Sequence, residues 1–280
     1  MYKYLPSERI DILENNLICF NNPLNFNDPF EFNTAFQLNN FESNLHDSLN
    51  KVNLLKELPS YFATYLEQLP KETASIIIEE ATKKMLSLYD REKPNILKTA
   101  ESLMQEFNSK IRRTTRILSL TDNPTNILMW GHYAQSHSGF VIEFDTNHPF
   151  FSQRRGHKDE FGFLRRVVYQ KDYPSFDPLQ SENQENYFLI KSIDWEYEHE
   201  WRMLLPKTNA DKTINTDGEE FDLYKIPSNS IKTIIFGCNS SDIFRKNMSS
   251  LICSRKDYSH VIFMQATKSK SKFEIELNTL

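Results

Sequence analysis

The sequence predicts an α+β protein built on a mixed or antiparallel sheet, with a helical block inserted into it. Short apolar strand signals occur near the start of the chain and return after about residue 114, whereas the stretch between carries apolar residues three or four apart. Strands and helices do not alternate regularly, as a doubly wound parallel sheet would require. The expected division is a core of residues 1–40 and 114–280 and a helical insertion over 41–113.

"MYKYL" reads as a strand, "PSERIDILENN" as a helix with Ile10, Leu13 and Leu17 on one side, and "LICF" as a second strand. "NNPLNFNDPFEF" crowds asparagine, aspartate and proline around aromatic residues, which is turn chemistry. From Phe41 to about Arg113, "LHDSLNKVNLLKEL", "SYFATYLEQL", "ETASIIIEEATKKMLSLYD" and "NILKTAESLMQEFNSKIRR" have helical periodicity. "TRILSLTD" resumes the strands, "NILMWGHYAQ" predicts a helix after Pro124, and "SGFVIEFD" predicts a strand with alternating faces. Further strands are expected at "RRVVYQ", "WEYEHEWRMLLP", "EFDLYKI", "IKTIIFG", "HVIFMQAT" and "KFEIELN", and helices near "NQENYFLIKSI" and "SDIFRKNMSSLICSRK".

With 280 residues the chain is long enough to bury a real core, and its formal charge of −5 argues against wholesale coating by nucleic acid. Three widely spaced cysteines indicate neither a disulfide framework nor a cysteine zinc site. With no apolar stretch of signal-peptide or membrane-span length, a soluble cytoplasmic protein is expected. Only six glycines occur, none in a dinucleotide fingerprint or phosphate loop, which makes Rossmann and P-loop enzymes a poor fit.

The most distinctive stretch is "EYEHEWRMLL", residues 196–205. Read as a strand, it puts Glu196, Glu198, Glu200 and Arg202 on one face and Trp195, Tyr197, His199, Trp201 and Met203 on the other. Crowded carboxylates are tolerated either on a solvated face or where they have chemical work. Trp201 is expected to anchor the strand in the core, and Arg202 to pair with a glutamate and keep it ionised.

In "MWGHYAQSHSGF", Met129, Trp130 and Tyr133 have the spacing of a buried helical seam, and His132 either meets a substrate or caps a polar network. A metal set of His132, His137, Glu143 and Asp145 fits poorly, because the histidines lack the spacing of a zinc pair. In "NFNDPFE", Asp28 is expected to bind nearby backbone amides. Basic residues gather as Arg112, Arg113 and Arg116, as Arg154, Arg155, Arg165 and Arg166, and in the late run "KSKSK". Each cluster is either a solvated loop or part of a phosphate track.

Lys3-Tyr4, the "FNDPFE" turn, residues Met129–Asp145 and residues Trp195–Arg202 together resemble a bacterial family known as domain of unknown function 2971. More distantly, the order of elements resembles the ADP-ribosyltransferase fold, including the DNA-modifying toxin DarT and its relatives. That resemblance implies NAD as co-substrate and an ADP-ribosyltransferase-like core. It implies a first-strand aromatic-plus-basic pair at Tyr4 and Lys3, a middle strand carrying Ser119 and Thr121, and catalytic carboxylates at Glu200 and Glu198. Lys3 departs from the histidine or arginine of those families, offering a point charge instead of a planar group. On the same reading Phe26, Phe30, Trp130 and Tyr133 offer aromatic contacts, and Asn27, His132 and Arg202 polar ones, to the dinucleotide.

Breaking the nicotinamide–ribose bond develops positive charge on the sugar, which Glu200 would stabilise. Glu198, about 6–7 Å away along a strand, would orient or deprotonate the acceptor. The resemblance to DarT places nucleic acid ahead of protein as acceptor, with an effector of toxin or antiphage type and a protein antitoxin or chaperone as partner. The alternatives are a non-catalytic binding module of the same fold and a metal-dependent nuclease.

Overall fold

A computed structural model describes residues 1–32, 68, 70–157, 159–172 and 187–280. The helices expected over 45–58 and 60–69 lie outside the described residues, residue 68 apart. The chain forms two compact units. The first comprises Met1–Asn33, Lys110–Tyr173 and Asn183–Leu280, and the second comprises the remainder.

The first unit opens with strand β1 (Tyr2–Leu5), a 3-10 turn at Ser7–Ile10, helix α1 (Asp11–Asn15) and strand β2 (Leu17–Phe20). The long helix α2 (Lys71–Thr114) lies mostly in the second unit and leads into β3 (Thr115–Thr121). The two stretches of helical periodicity expected here, "ETASIIIEEATKKMLSLYD" and "NILKTAESLMQEFNSKIRR", fall within the one helix α2, which runs through Pro94. Helix α3 (Ile127–Tyr133) starts where the Asn126 side chain accepts from the Met129 amide, and β4 (Phe140–Phe144) follows.

Short strands β5 (Arg165–Arg166), β6 (Val168–Gln170) and β7 (Ile190–Ser192) precede a 3-10 turn at Ile193–Glu198 and strand β8 (Glu200–Pro206). The remaining elements are β9 (Lys212–Thr216), β10 (Glu219–Lys225), β11 (Ile231–Phe236), α4 (Asp242–Cys253), β12 (Ile262–Lys268) and β13 (Ile275–Thr279). Residues 190–192, expected in a helix, form β7, and β9 was not anticipated because its five residues are exposed and lack an apolar face.

Eight strands form one sheet in the order β13-β12-β11-β4-β1-β3-β8-β5, antiparallel except for β11 beside β12. Smaller sheets are β2-β10-β9 and the parallel pair β6-β7. The fold is therefore α+β with a mostly antiparallel sheet.

Strand alternation splits the core. Leu118, Leu120, Ile142 and Ile234 point to one side, where they meet Ile12 and Leu13 of α1, Ile18 and Phe20 of β2, and Met248 and Ile252 of α4. Tyr4, Val141 and Ile235 point to the other side and pack on Met129 and Trp130 of α3. Burying such side chains is the main force holding the layers together, at about 1.5–3 kcal/mol each. Gly237 permits a close approach here, since a side chain on it would strike the His137 carbonyl at 2.1 Å.

Candidate active site

The site begins with a gap in the large sheet. Strand β1 pairs with β4 through four residues but with β3 only through Tyr2 and Thr121. Where β1 and β3 part, the Lys3 ammonium donates to the Ser119 carbonyl at 3.2 Å, taking the place of a ladder bond. A cavity of about 320 Å³ lies here. Its walls come from β1 (Tyr2, Lys3, Tyr4), β3 (Ser119, Thr121), the Asn25–Phe26–Asn27 loop and α3 (Met129, Tyr133), with Lys191, Glu198 and Glu200 deeper. Alternation along β1 allows only Tyr2 and Tyr4, or Lys3, to reach one pocket. All three border this one, because Lys3 projects into the seam between parted strands.

Behind the cavity lies a buried cluster of charge. Arg202, fully buried, donates from Nε to Glu200 Oε1 and from Nη2 to Glu200 Oε2, both at 2.8 Å. Its Nη2 also bonds Glu31, and Nη1 donates to the Phe188 carbonyl at 2.7 Å. The guanidinium lies over the rings of Phe26 and Phe32, 5.4 and 5.3 Å from their centres. Lys191 bridges the two expected catalytic carboxylates, 2.6 Å from Glu198 Oε2 and 3.3 Å from Glu200 Oε2. Tyr133 donates its hydroxyl to Glu198 Oε1 at 2.6 Å, and the Glu200 amide donates to the Tyr169 hydroxyl at 2.7 Å.

Buried charges persist only when paired, and every charge of this network is ion-paired, although Glu31 Oε2 has no hydrogen bond and meets only the Lys191 ammonium, at 3.9 Å. Burial alone raises the Glu200 pKa, but Arg202 and Lys191 more than reverse the effect and hold the carboxyl at about 2. Glu31 is pushed up by burial, against the pull of Arg202 and Lys191. Lys3 is lowered to about 8 by burial. The Tyr133 phenol is pushed up by burial and by Glu198, so it stays a donor.

The expected continuous strand over residues 195–206 is not formed. Residues 193–198 make a 3-10 turn, His199 takes a left-handed conformation (φ 47°), and β8 begins at Glu200. Glu198 and Glu200 still face the cavity, gathered by Lys191 instead of by strand alternation. Glu196 is exposed. Trp201 is half-buried and its indole N–H reaches Asp122 at 3.3 Å, so it is not the core anchor expected.

Among the other expected contacts, Phe26, Asn27, Ser119, Thr121 and Tyr133 line the cavity. Four do not. Trp130 is wholly buried, edge-on to Tyr4 with ring centres 5.2 Å apart, and its N–H donates to the Pro124 carbonyl. His132 points to solvent at the end of α3, and Phe30 is 65% exposed beyond the turn. Arg202 stands behind the cavity with its donors committed to protein oxygens. Asp28 accepts from the Phe30 amide at 2.8 Å, as the turn requires.

Most of the arginines assigned to nucleic acid are engaged with the protein itself. Arg116 is buried and ion-paired to Asp222 at 2.6 Å and Glu220 at 3.3 Å. Arg154 and Arg165 both pair with Glu160 at 2.8 Å, and Arg155 pairs with Asp159 at 2.9 Å. Arg112 is half-buried, leaving Arg113 and Arg166 exposed. Among the described residues no three His, Cys, Asp or Glu side chains gather in a metal-binding set, and no helix is long and apolar enough to cross a membrane.

Fold and site together define an α+β protein whose parted central strands hold a cavity backed by paired carboxylates. The family model described as a protein of unknown function, DUF2971, matches residues 129–203, about a quarter of the chain. The match runs from Met129 in α3 to Met203, the fourth residue of β8, and so includes Tyr133, Lys191, Glu198, Glu200 and Arg202. Neither the curated proteins nor the solved structures contain a match to the chain.

Proposed function

We propose that this cavity binds the nicotinamide–ribose end of NAD and that the protein transfers ADP-ribose to a macromolecular acceptor. The observation that carries this reading is the convergence of Lys3, Ser119 and Glu200, from three neighbouring strands, on one cavity. The cavity volume of about 320 Å³ is at the small end for ligand sites, so it takes part of the dinucleotide and leaves the rest outside. Tyr2, Tyr4, Phe26 and Tyr133 supply aromatic surface for a planar ring, and Asn27 supplies an amide at the same wall.

In the proposed step the bond from the ribose anomeric carbon to nicotinamide nitrogen breaks, and its electron pair leaves with nicotinamide. Glu200, ionised and held by Arg202, faces the cation that develops on the sugar. An acceptor nucleophile then bonds to the anomeric carbon, and its proton passes to Glu198, whose carboxylate already accepts from Tyr133 and Lys191. Nucleic acid is the acceptor class we favour, though not through the paired arginines.

One observation favours a second reading, a binding module without turnover: both Glu200 oxygens are already engaged by cations of the protein. Incubation of the full chain with adenylate-labelled NAD and separate pools of DNA, RNA and protein separates the two. Transfer or nicotinamide release should fall roughly 10²–10³-fold in Glu200→Gln. It should persist in Glu143→Gln, whose carboxylate lies on β4 beside Lys232 at 3.8 Å. Absence of both NAD binding by calorimetry and nicotinamide release overturns the transferase reading.

A further inference from the structure

The late basic run stands apart from the arginine clusters. Lys268 ends β12, and Lys270 and Lys272 follow in the turn before β13. All three are exposed. Among the described residues only Lys272 of the three has a carboxylate within 4.0 Å, Glu274 at 3.8 Å, a distance at which an exposed pair contributes little. In a chain with net charge −5 this turn is locally cationic. Its next residue, Phe273, is 98% exposed.

Phe273 also forms one side of a groove of about 410 Å³ whose other side is the start of α3, with Ile127 and Leu128. Those two side chains are themselves 40% and 50% exposed. Single exposed apolar residues are ordinary, but an aromatic ring, a groove and three lysines at one place form a patch that calls for a partner.

We infer that the β12–β13 turn is a docking surface for single-stranded nucleic acid, with Phe273 stacking on a base and Lys268, Lys270 and Lys272 contacting phosphates. A flat ring over an open groove suits an unstacked base, which a duplex does not present, and lysines on a turn suit a flexible backbone. An anionic membrane shares the charge complementarity but fits less well. One phenylalanine buries far less apolar surface than a myristoyl chain, which itself gives only marginal membrane binding. The surface supplies the acceptor for the transfer proposed above and rests on that reading only for the transfer, not for the binding.

The test is fluorescence anisotropy of the full chain, without NAD, against a short labelled oligothymidylate, its matched duplex and phosphatidylserine vesicles over a salt series. The single strand should bind more tightly than the duplex. Phe273→Ala should weaken it roughly tenfold. Changing Lys268, Lys270 and Lys272 together to serine should reduce the slope of log affinity against log salt by about two, from roughly 0.7 per phosphate contact. Arg154→Ser and Glu143→Gln should bind as the parent does. Because every altered turn residue is exposed, circular dichroism should show an unchanged fold.

No oligonucleotide binding, equal binding by the turn variants, or preference for duplex or vesicles overturns the inference. Oligonucleotide binding in this assay, together with neither NAD binding nor nicotinamide release in the labelled-NAD experiment above, refutes the transferase and leaves the docking surface standing, so the two failures are distinguishable.

Discussion

Arg202 holds Glu200 through two parallel bonds of 2.8 Å, the forked geometry that suits guanidinium and carboxylate. The same guanidinium engages Glu31, so one buried cation orders a carboxylate at the cavity and another in the loop before residue 33.

Removing that cation should be severe. Arg202→Leu leaves two buried carboxylates without their main partner and should cost about 3–5 kcal/mol, read as a shift in the urea midpoint. Acid should weaken the parent protein through the same contact. The folded-state pKa of Glu200, about 2, is below its ordinary 4.5, so its stabilisation is present above pH 4.5 and is lost as pH falls towards 2. Arg202→Leu should lack this component of acid sensitivity, and an identical acid profile in the two proteins would refute the assignment.

Lys3 should show the opposite dependence. Its folded-state pKa, about 8, is lowered from an ordinary 10.5, so the unfolded chain binds more protons between those values. The cost of burying the ammonium is therefore complete below pH 8 and is relieved as pH rises to 10.5. Lys3→Met should abolish this alkaline gain in denaturation experiments. If the charge also contacts NAD, affinity should fall above about pH 8 in the parent but hold in Lys3→Arg, which stays charged.

Lys191 has no role in the chemistry proposed for the carboxylates, yet it fixes their arrangement. Lys191→Met should cost about 3–5 kcal/mol near neutrality by leaving Glu198 and Glu200 short of a shared cation. The loss should shrink as pH falls towards 2, where the Glu200 carboxylate takes a proton. Tyr133→Phe removes the hydroxyl that donates to Glu198 and meets the Asn27 side chain, and should cost less, about 1–3 kcal/mol. Urea titrations of both variants at neutral and acidic pH provide the comparison.

Trp130 and His132 are two residues apart on α3 and should behave differently. Trp130→Ala empties a fully buried site and should cost about 3–5 kcal/mol. His132→Ala alters a solvent-facing side chain and should stay within about 0.5 kcal/mol of the parent, with NAD binding unchanged. Thermal denaturation and calorimetry test the pair.

Much of the fold was legible because apolar periodicity reports which faces are buried. Strands β3, β4, β8 and β11 and helices α3 and α4 all fall inside stretches whose pattern announces them. The start of β8 was not legible: alternating glutamates and aromatics imitate a strand, but the chain turns at Ser192, whose hydroxyl accepts from Asp194, and turns again at His199. Glu198 and Glu200 were visible as crowded carboxylates, whereas their shared cation was not. Lys191 follows the apolar run "FLI", and a lone lysine there was the available signal for a buried partner. Glu31 was read as the end of a turn because the Arg202 that engages it is 171 residues away in the chain. The arginine clusters misled for a related reason, since local charge density does not reveal that Asp222, Asp159 and Glu160 neutralise it.

The single pairing of Tyr2 with Thr121 divides the large sheet into two leaves, five strands on one side and three on the other, joined along a narrow spine. A molecule wedged between those leaves would set the angle of their splay, so occupancy could be felt at the outer edges of the sheet, far from the atoms it touches.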